Sequence, residues 1–585
     1  MLPMQPRFIT SRVPTDEVER EGLFSEIRDL LRSGAVEQCS RRDVATTSPV
    51  FVVPKQAPGS FRFIMDLREV NKSWTPPKTR LITFATIAAC VRPGTWLAVA
   101  DVRSAFHQVP VAASLRRWFG FRLQGRYYRF RSCPFGWNVS PWAWNQFFKP
   151  VLSRARDLNR GVSLLCYVDD ILFVGDSEDA VSLALARTRA LLEGLGFALK
   201  LDERAAPSQR TRFLGFNLDA TTASIACVPA RTAAIARTAL ALHHAGSASL
   251  LQTARLLGSL RSLRAAYRWV LLDSAHLSRF VGALDWSDRH RVVTLPRTVL
   301  DELPCLARSL RSLHAVPLSP PPPDLVLTTD ASGYGWGGFL STGERASGVF
   351  TLEEAALPAV AREALAVVFA LRSLRPCAES LLIRSDSTVV VVSLITRRAR
   401  GATLISPMRE IRDLLGHTHV TSTHIPGIRN TLADALSRSP CRPHAHIISR
   451  RAFASAVRQL GLSPDVDLFA DRLTAKVVRY YSARADPYAV ATNAFTADWS
   501  EFSVAYANPP FSLIARTLAH WQACTHRSRD ESPKLILVVP SWPTADWARA
   551  LSRLSESTAA LGTACLSTGI PALWPLEAHL LRSDR

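Results

Sequence analysis

The stretch "LLCYVDDILFVGD", residues 164–176, sets two adjacent aspartates, Asp169 and Asp170, between two apolar runs. Its flanks are rich in Leu, Val, Ile and Phe and read as β-strands, with Tyr167 and Val168 leading into the turn. Two unpaired carboxylates at such a place repel each other, and burial raises the cost of keeping both ionised. Something positive is therefore expected between them and solvent. A plain tight turn, in which Asp is common, is one reading; a site for divalent magnesium or manganese, which prefer oxygen ligands, is the other.

A metal site needs one more acid, and Asp101 in "TWLAVADVRSAFHQVP", residues 95–110, is the candidate, because an apolar strand ends there. Strand-end carboxylates at two places, one of them paired, can clamp two ions that activate a 3′-hydroxyl and neutralise a triphosphate. Together the two segments resemble the palm of retroelement reverse transcriptases. That resemblance makes Asp101, Asp169 and Asp170 the catalytic metal ligands. It extends to "SPVFVVPKQAPGSFRFIMDLREVNK", residues 48–72, similar to a fingers segment whose phosphate contacts would be Lys55 and Arg62. Phe106 falls where the family places an aromatic against the sugar 2′ position. "CPFGWNVSPWAWNQ", residues 133–146, resembles the nucleotide and template pocket, with Phe135, Gly136, Ser140 and Pro141 at matching places. Residues 196–219 look like the end of the palm, giving Lys200 near the triphosphate and Phe213, Leu214 and Gly215 in a primer-grip hairpin. Taken singly, the cations also read as solvated surface residues and the aromatics as core.

The composition agrees with a polyanionic partner. The chain of 585 residues carries 71 Lys and Arg against 49 Asp and Glu, a formal net charge of +22. Its ten cysteines form no CxxC pair or zinc-spaced cluster, which points to a reducing compartment. No run reaches transmembrane length and "MLPMQPRFITSR" is no signal peptide, so a soluble intracellular protein without a membrane partner is expected, in the nucleus and/or cytoplasm. The expected domains are an N-terminal helix and fingers over 1–95, palm with part of the fingers over 96–222, and a helical thumb and connection over 223–316. "PLSPPPPD", ending at 324, is a stiff connector; a further domain over 325–445 and a last one over 446–585 follow.

The domain after the prolines places four acids on separate elements: Asp330 at the end of "LVLTTD", Glu363 on the helix "LPAVAREALAVVFALRSL", Asp386 after "SLLIRS", and Asp434 on the helix after "STHIPGIRN". Carboxylates so arranged in an α/β unit suit two-metal hydrolysis. The layout resembles ribonuclease H, which implies cleavage of the RNA strand of an RNA–DNA hybrid, read by shape and 2′-hydroxyl. His424 stands where some members carry a catalytic His; the short "HIPGIRN" loop also allows a structural His on the strand.

In the tail, "VAYANPPFSLI", residues 504–514, ends a strand in Asn-Pro-Pro-Phe, and "LILVVP" reads as a buried neighbour in the same sheet. The region resembles phage-type DNA adenine methyltransferases and the C-terminal extension of DIRS-type retrotransposon polymerases. By that likeness Asn508 and the Pro509 carbonyl would accept from a flipped adenine's amino group, with Phe511 stacked on the ring. Asp467 would help bind S-adenosylmethionine, although "DLFADRLTA" lacks the glycines that normally let a loop approach that cofactor, and a strand-end cap is the other reading of this residue.

The expected protein is thus multidomain, α/β and α+β: a right-hand polymerase, a ribonuclease H-like domain and a Rossmann-like methyltransferase-like domain. It would copy retrotransposon RNA into DNA from a DNA primer and dNTPs, with two Mg²⁺ or Mn²⁺ ions per site, and degrade the RNA of the hybrid. An element-encoded tyrosine recombinase is the expected protein partner. The alternative is a domesticated nucleic-acid-binding protein that keeps the fold.

Overall fold

A computed structural model describes residues 7–54, 59–438, 446–525 and 533–582. The chain divides into two compact units, one of Met1–Arg237, Ala265–Tyr267 and Arg308–Ser319, the other of Thr238–Arg264, Arg268–Ala307 and Pro320–Arg585. The division therefore runs through the helical 223–316 segment as well as the proline run. Pro317 pairs with Ser224 in the first unit, whereas in the second Ser380 donates from its backbone to the Asp324 carboxylate and from its hydroxyl to Pro321 O.

In the first unit, four strands form an antiparallel sheet: β1 (Trp96–Val102), β2 (Ser163–Tyr167), β3 (Asp170–Gly175) and β4 (Leu199–Lys200), in the order β2-β3-β1-β4. The apolar runs that flank the aspartates are β2 and β3. Their inward residues Leu164, Ile171 and Phe173, with Ala98 and Ala100 of β1, pack against Trp144 and Phe148 of helix α1 (Ser140–Leu158) and Val181 and Ala184 of α2 (Glu178–Gly194). Ser177 caps α2 by accepting from Ala180 N, with Glu178 and Asp179 favourably placed in the first turn.

In the second unit, β5 (Leu325–Ala331), β6 (Gly335–Leu340), β7 (Arg345–Val349), β8 (Ser380–Ser385) and β9 (His419–His424) form one sheet in the order β7-β6-β5-β8-β9. The β5–β6 and β6–β7 pairs are antiparallel, while β5–β8 and β8–β9 are parallel. Parallel neighbours need crossovers, here through helices α3 (Ala359–Leu374), α4 (Thr388–Thr396) and α5 (Ile405–Leu415); α6 (Thr431–Arg438) follows β9. Leu327, Trp336, Val367, Phe369, Ile383 and Met408 fill the core. Gly337 lies opposite Asp330 in the β5–β6 register, and a Cβ there would fall 2.7 Å from both Ala433 O and Ser437 N. Only glycine lets α6 come this close to the sheet.

The C-terminal part of this unit holds a second sheet, ordered β10-β11-β12-β14-β13. Its strands are β10 (Val466–Asp467), β11 (Val504–Ala507), β12 (Lys534–Pro540), β13 (Ser555–Gly562) and β14 (Leu576–Leu581). "LILVVP" is β12, parallel to β11. Trp499, Trp521 and Leu535 cover one face; Phe453 and Ala456 of α7 (Arg450–Leu460) and Tyr506 cover the other. No helix among the described residues is long and apolar enough to cross a membrane.

Candidate active sites

In the first unit, antiparallel pairing sets Asp101 directly opposite Asp170, with Lys200 opposite Asp101 on the other side. Same-face neighbours across a sheet lie close, so charge of both signs is stacked over one end of it. The turn joining β2 to β3 has Val168 at φ 58°, a left-handed conformation unfavourable for a β-branched residue. It is held from several directions: Trp144 Nε1 donates to Val168 O at 2.6 Å and Val102 N donates to Asp169 O at 2.8 Å.

Burial, then the charges of Asp169 and Asp170, push the Asp101 carboxyl up to about 6, against the opposing pull of Lys200 and Arg204. Asp170 is raised as well, by burial and then by Asp169. The expected positive partner is Arg204, whose Nη1 lies 3.7 Å from Asp170 while its other nitrogens grip Asp202. The donor set is all carboxylate oxygen, half-buried and self-repelling, which fits hard divalent cations.

Around this end of the sheet, Phe106 rests against Phe135 with ring centroids 4.9 Å apart, and Phe135 is exposed. Gly136 takes φ 91° and its carbonyl accepts from Asn71 Nδ2. Buried Ser140 donates to Pro134 O, and Pro141 sits in the first turn of α1. Arg62 is exposed on the strand Phe61–Met65, whereas Lys55 lies outside the described residues. Leu214 and Gly215, with φ 50° and 78°, form the two-residue turn between Phe213 and Phe216.

The second unit gathers Asp330 from β5, Glu363 from α3 and Asp386 from the end of β8, with one ligand oxygen of each within 4.8 Å of the others. Among the described residues no other three His, Cys, Asp or Glu side chains converge so tightly, and Asp101, Asp169 and Asp170 do not. Burial, then the charges of Asp330 and Asp386, raise Glu363 to about 8, and its buried Oε2 has no hydrogen-bond partner. An orphaned buried acceptor beside two other carboxylates is what an oxygen-coordinated cation would satisfy. Asp330 is positioned by Ser437, which donates to it at 2.6 Å, and by Asn430 Nδ2 at 3.3 Å.

Asp434 stands outside this triad. Its carboxylate accepts from Arg438 Nε at 2.7 Å, and it acts on Asp330 only as a neighbouring negative charge. His424 is the last residue of β9, so the short loop does leave it on the strand; its Nε2 lies 3.0 Å from the Asp386 carbonyl.

Sequence reasoning missed Asn430 and Ser437, although with Asp434 they recur at one-face helical spacing, a signal open to inspection. Arg204 carried no comparable signal.

In the tail, the residues expected to hold an adenine hold the chain itself. Asn508 Oδ1 accepts from Ile448 N at 3.0 Å and its Nδ2 donates to His446 O at 3.3 Å. The His446 ring stacks on Phe511 at 4.1 Å and 14°. Pro509 and Pro510 separate Asn508 from Phe511 in the same segment. Asp467 is buried, and its carboxylate accepts from Phe469 N and Lys476 N, the pattern of a strand-end cap.

Residues 53–218 match the family described as "Reverse transcriptase (RNA-dependent DNA polymerase)". The Gag-Pol polyprotein of bovine immunodeficiency virus (strain R29) is 26% identical over 227 residues, 37% of this chain and 15% of the polyprotein. That of Rous sarcoma virus subgroup C (strain Prague) is 29% identical over 181 residues, 30% of this chain and 11% of the polyprotein. This chain thus corresponds to a small part of these relatives. Among solved structures, foamy viral protease-reverse transcriptase dRH in complex with double-stranded DNA aligns at TM-score 0.46 and 18% identity, covering 73% of this chain and 72% of that one. The foamy viral protease-reverse transcriptase with RNA/DNA hybrid aligns at 0.45 and 17%, covering 76% and 57%. Residues 53–218 are a reverse transcriptase domain with retroviral Gag-Pol homologues.

Proposed function

We propose that the chain is an RNA-directed DNA polymerase that also cuts the RNA strand of its RNA–DNA product. The observation that carries this is the pairing of a reverse transcriptase domain, whose carboxylates stack at the Asp101–Asp170 register, with a separate triad containing an orphaned Glu363 oxygen. In the polymerase site Asp101, Asp169 and Asp170 would hold magnesium or manganese, and in the second site Asp330, Glu363 and Asp386 would, with Asp434 alongside. Such ions, when bound, supply Lewis acidity that activates a hydroxyl or water and neutralises the phosphate.

The chain's own residues would do the rest. Lys55, Arg62 and Lys200 attract the triphosphate as cations. Phe106, backed by Phe135, stands against a ribose 2′-hydroxyl. Donation of Nε2–H to the Asp386 carbonyl leaves His424 Nδ1 as the ring's acceptor, able to carry a proton at the second site. By the tail's resemblance, the chain would come from a DIRS-type element, with a tyrosine recombinase as partner and work in the cytoplasm or nucleus. Methyl transfer has no part in this reading, because Asn508 and Phe511 are engaged internally.

The test is to incubate the chain with a primed RNA template, dNTPs and Mg²⁺ and follow both strands on one gel. Primer extension with RNA shortening is expected; tight template binding with neither product would overturn the enzyme reading and favour the domesticated one.

A further inference from the structure

Beyond the ends of β10 and β11 lies a cavity of about 460 Å³, closed on its far side by Trp336 and by Gly348 of β7. Its position, outside the carboxyl ends of parallel strands, is where open α/β sheets place ligands. Phe469 and Phe495 contribute apolar ring surface to its wall, their centroids 5.6 Å apart.

The charged groups in the wall are not equally committed. Asp486 accepts from the backbone of Arg472, Tyr488 and Ala489 and from the Tyr480 hydroxyl, and Asp471 Oδ1 accepts from Leu473 N, Thr474 N and the Thr474 hydroxyl. These acids serve the loops that carry them. The arginines differ. Arg472 pairs with Glu354 through Nη2 and lies 4.4 Å from the Phe369 ring centroid, so its guanidinium is already engaged away from the cavity. Arg516 lies 4.2 Å over the Phe495 ring with no carboxylate partner among the described residues, and exposed Arg484 likewise has none.

Two guanidiniums without a carboxylate partner among the described residues therefore flank one apolar cavity. A sulfonium cofactor would bring net positive charge to these cations and to carboxylates already engaged. We propose that this cavity binds a nucleoside monophosphate, its ring against Phe469 and Phe495 and its phosphate on Arg484 and Arg516, supplied either as a free nucleotide or as the 5′-phosphorylated end of a single strand. Arginine matches phosphate in both charge and geometry.

The experiment is hydrogen exchange on the full chain with AMP, with a 5′-phosphorylated tetranucleotide and with S-adenosylmethionine, comparing the wild type with the Arg484→Ala/Arg516→Ala variant. Because exchange is read locally, binding at the polymerase site registers elsewhere, over 163–175. AMP is expected to slow exchange over 468–474 and 493–495, with at least a tenfold higher concentration needed in the double variant. Both substituted residues are exposed and outside the polymerase machinery, so primer extension serves as the folding control and is expected unchanged. Protection by the tetranucleotide but not by AMP supports the site and identifies a strand end as the source. Protection by neither, stronger protection by S-adenosylmethionine, or protection undiminished in the double variant overturns the proposal.

Discussion

The two acidic sites solve the same electrostatic problem differently. In the first unit, Asp169 and Asp170 are neighbours in sequence at a hairpin tip, and a cation of the protein, Arg204, already leans on Asp170. In the second, three acids from three elements converge, and the cost of convergence appears as a Glu363 carboxyl raised to about 8 with an unpaired oxygen. A hairpin delivers charge along a chain, whereas a sheet with a crossing helix delivers it from several directions. The first arrangement keeps an internal counter-ion at hand; the second gathers its acids closely enough to share one cation.

The sharpest way to break this comparison is to remove one acid from each site. Asp169→Asn is expected to reduce DNA synthesis to background while RNA cleavage persists, and Asp386→Asn to do the reverse, both read on the two-strand gel. Loss of both activities from either folded variant would mean that the sites are not independent.

Gly337→Ala tests whether the second site depends on the close approach of α6. A Cβ there collides with the backbone of Ala433 and Ser437, so Ser437 and Asn430 would shift off Asp330. Displacements of this order cost about 100-fold in rate; RNA cleavage should fall by that much while primer extension holds. Unchanged cleavage would show that α6 does not position Asp330.

A smaller effect is expected from Phe106→Val, which removes the ring that Phe135 supports. Discrimination against ribonucleotides, measured as the ratio of incorporation efficiencies, should drop by about tenfold. An unaltered ratio would remove Phe106 from sugar selection.

The smallest concerns Arg204→Ala. If Arg204 stands in for part of an ion's charge, its removal should lower the Mg²⁺ concentration for half-maximal synthesis about two- to threefold, consistent with a partly exposed pair. A higher requirement would make Arg204 a support of the site rather than a competitor.

The hairpin was legible in the sequence because its signal is local: strand-forming runs on both sides of two charges fix β2, the turn and β3 within thirteen residues. The Asp330, Glu363 and Asp386 set was legible for a related reason, each acid ending or riding on an element with its own clear periodicity. Arg204 was not, since its role depends on where the short strand β4 brings a distant loop. Sequence position on α6 likewise does not reveal that Arg438, one turn on, holds the Asp434 carboxylate. The Asn508–Phe511 segment shows the limit most clearly. Its residues have the chemistry to grip a planar ring, but nothing in the sequence says that the ring is His446 of the same chain.

The left-handed Val168 has an evolutionary consequence. A strained backbone of this kind costs about 1–3 kcal/mol and persists only where its surroundings enforce it, which here means the Trp144 indole bound to its carbonyl. Positions 144 and 168 should therefore drift together among relatives. Glycine at 168 would free 144 to vary, while a β-branched residue at 168 would tie 144 to a long side chain with a donor at its tip. The history of this site would then be written in pairs of alignment columns, where each column alone looks permissive.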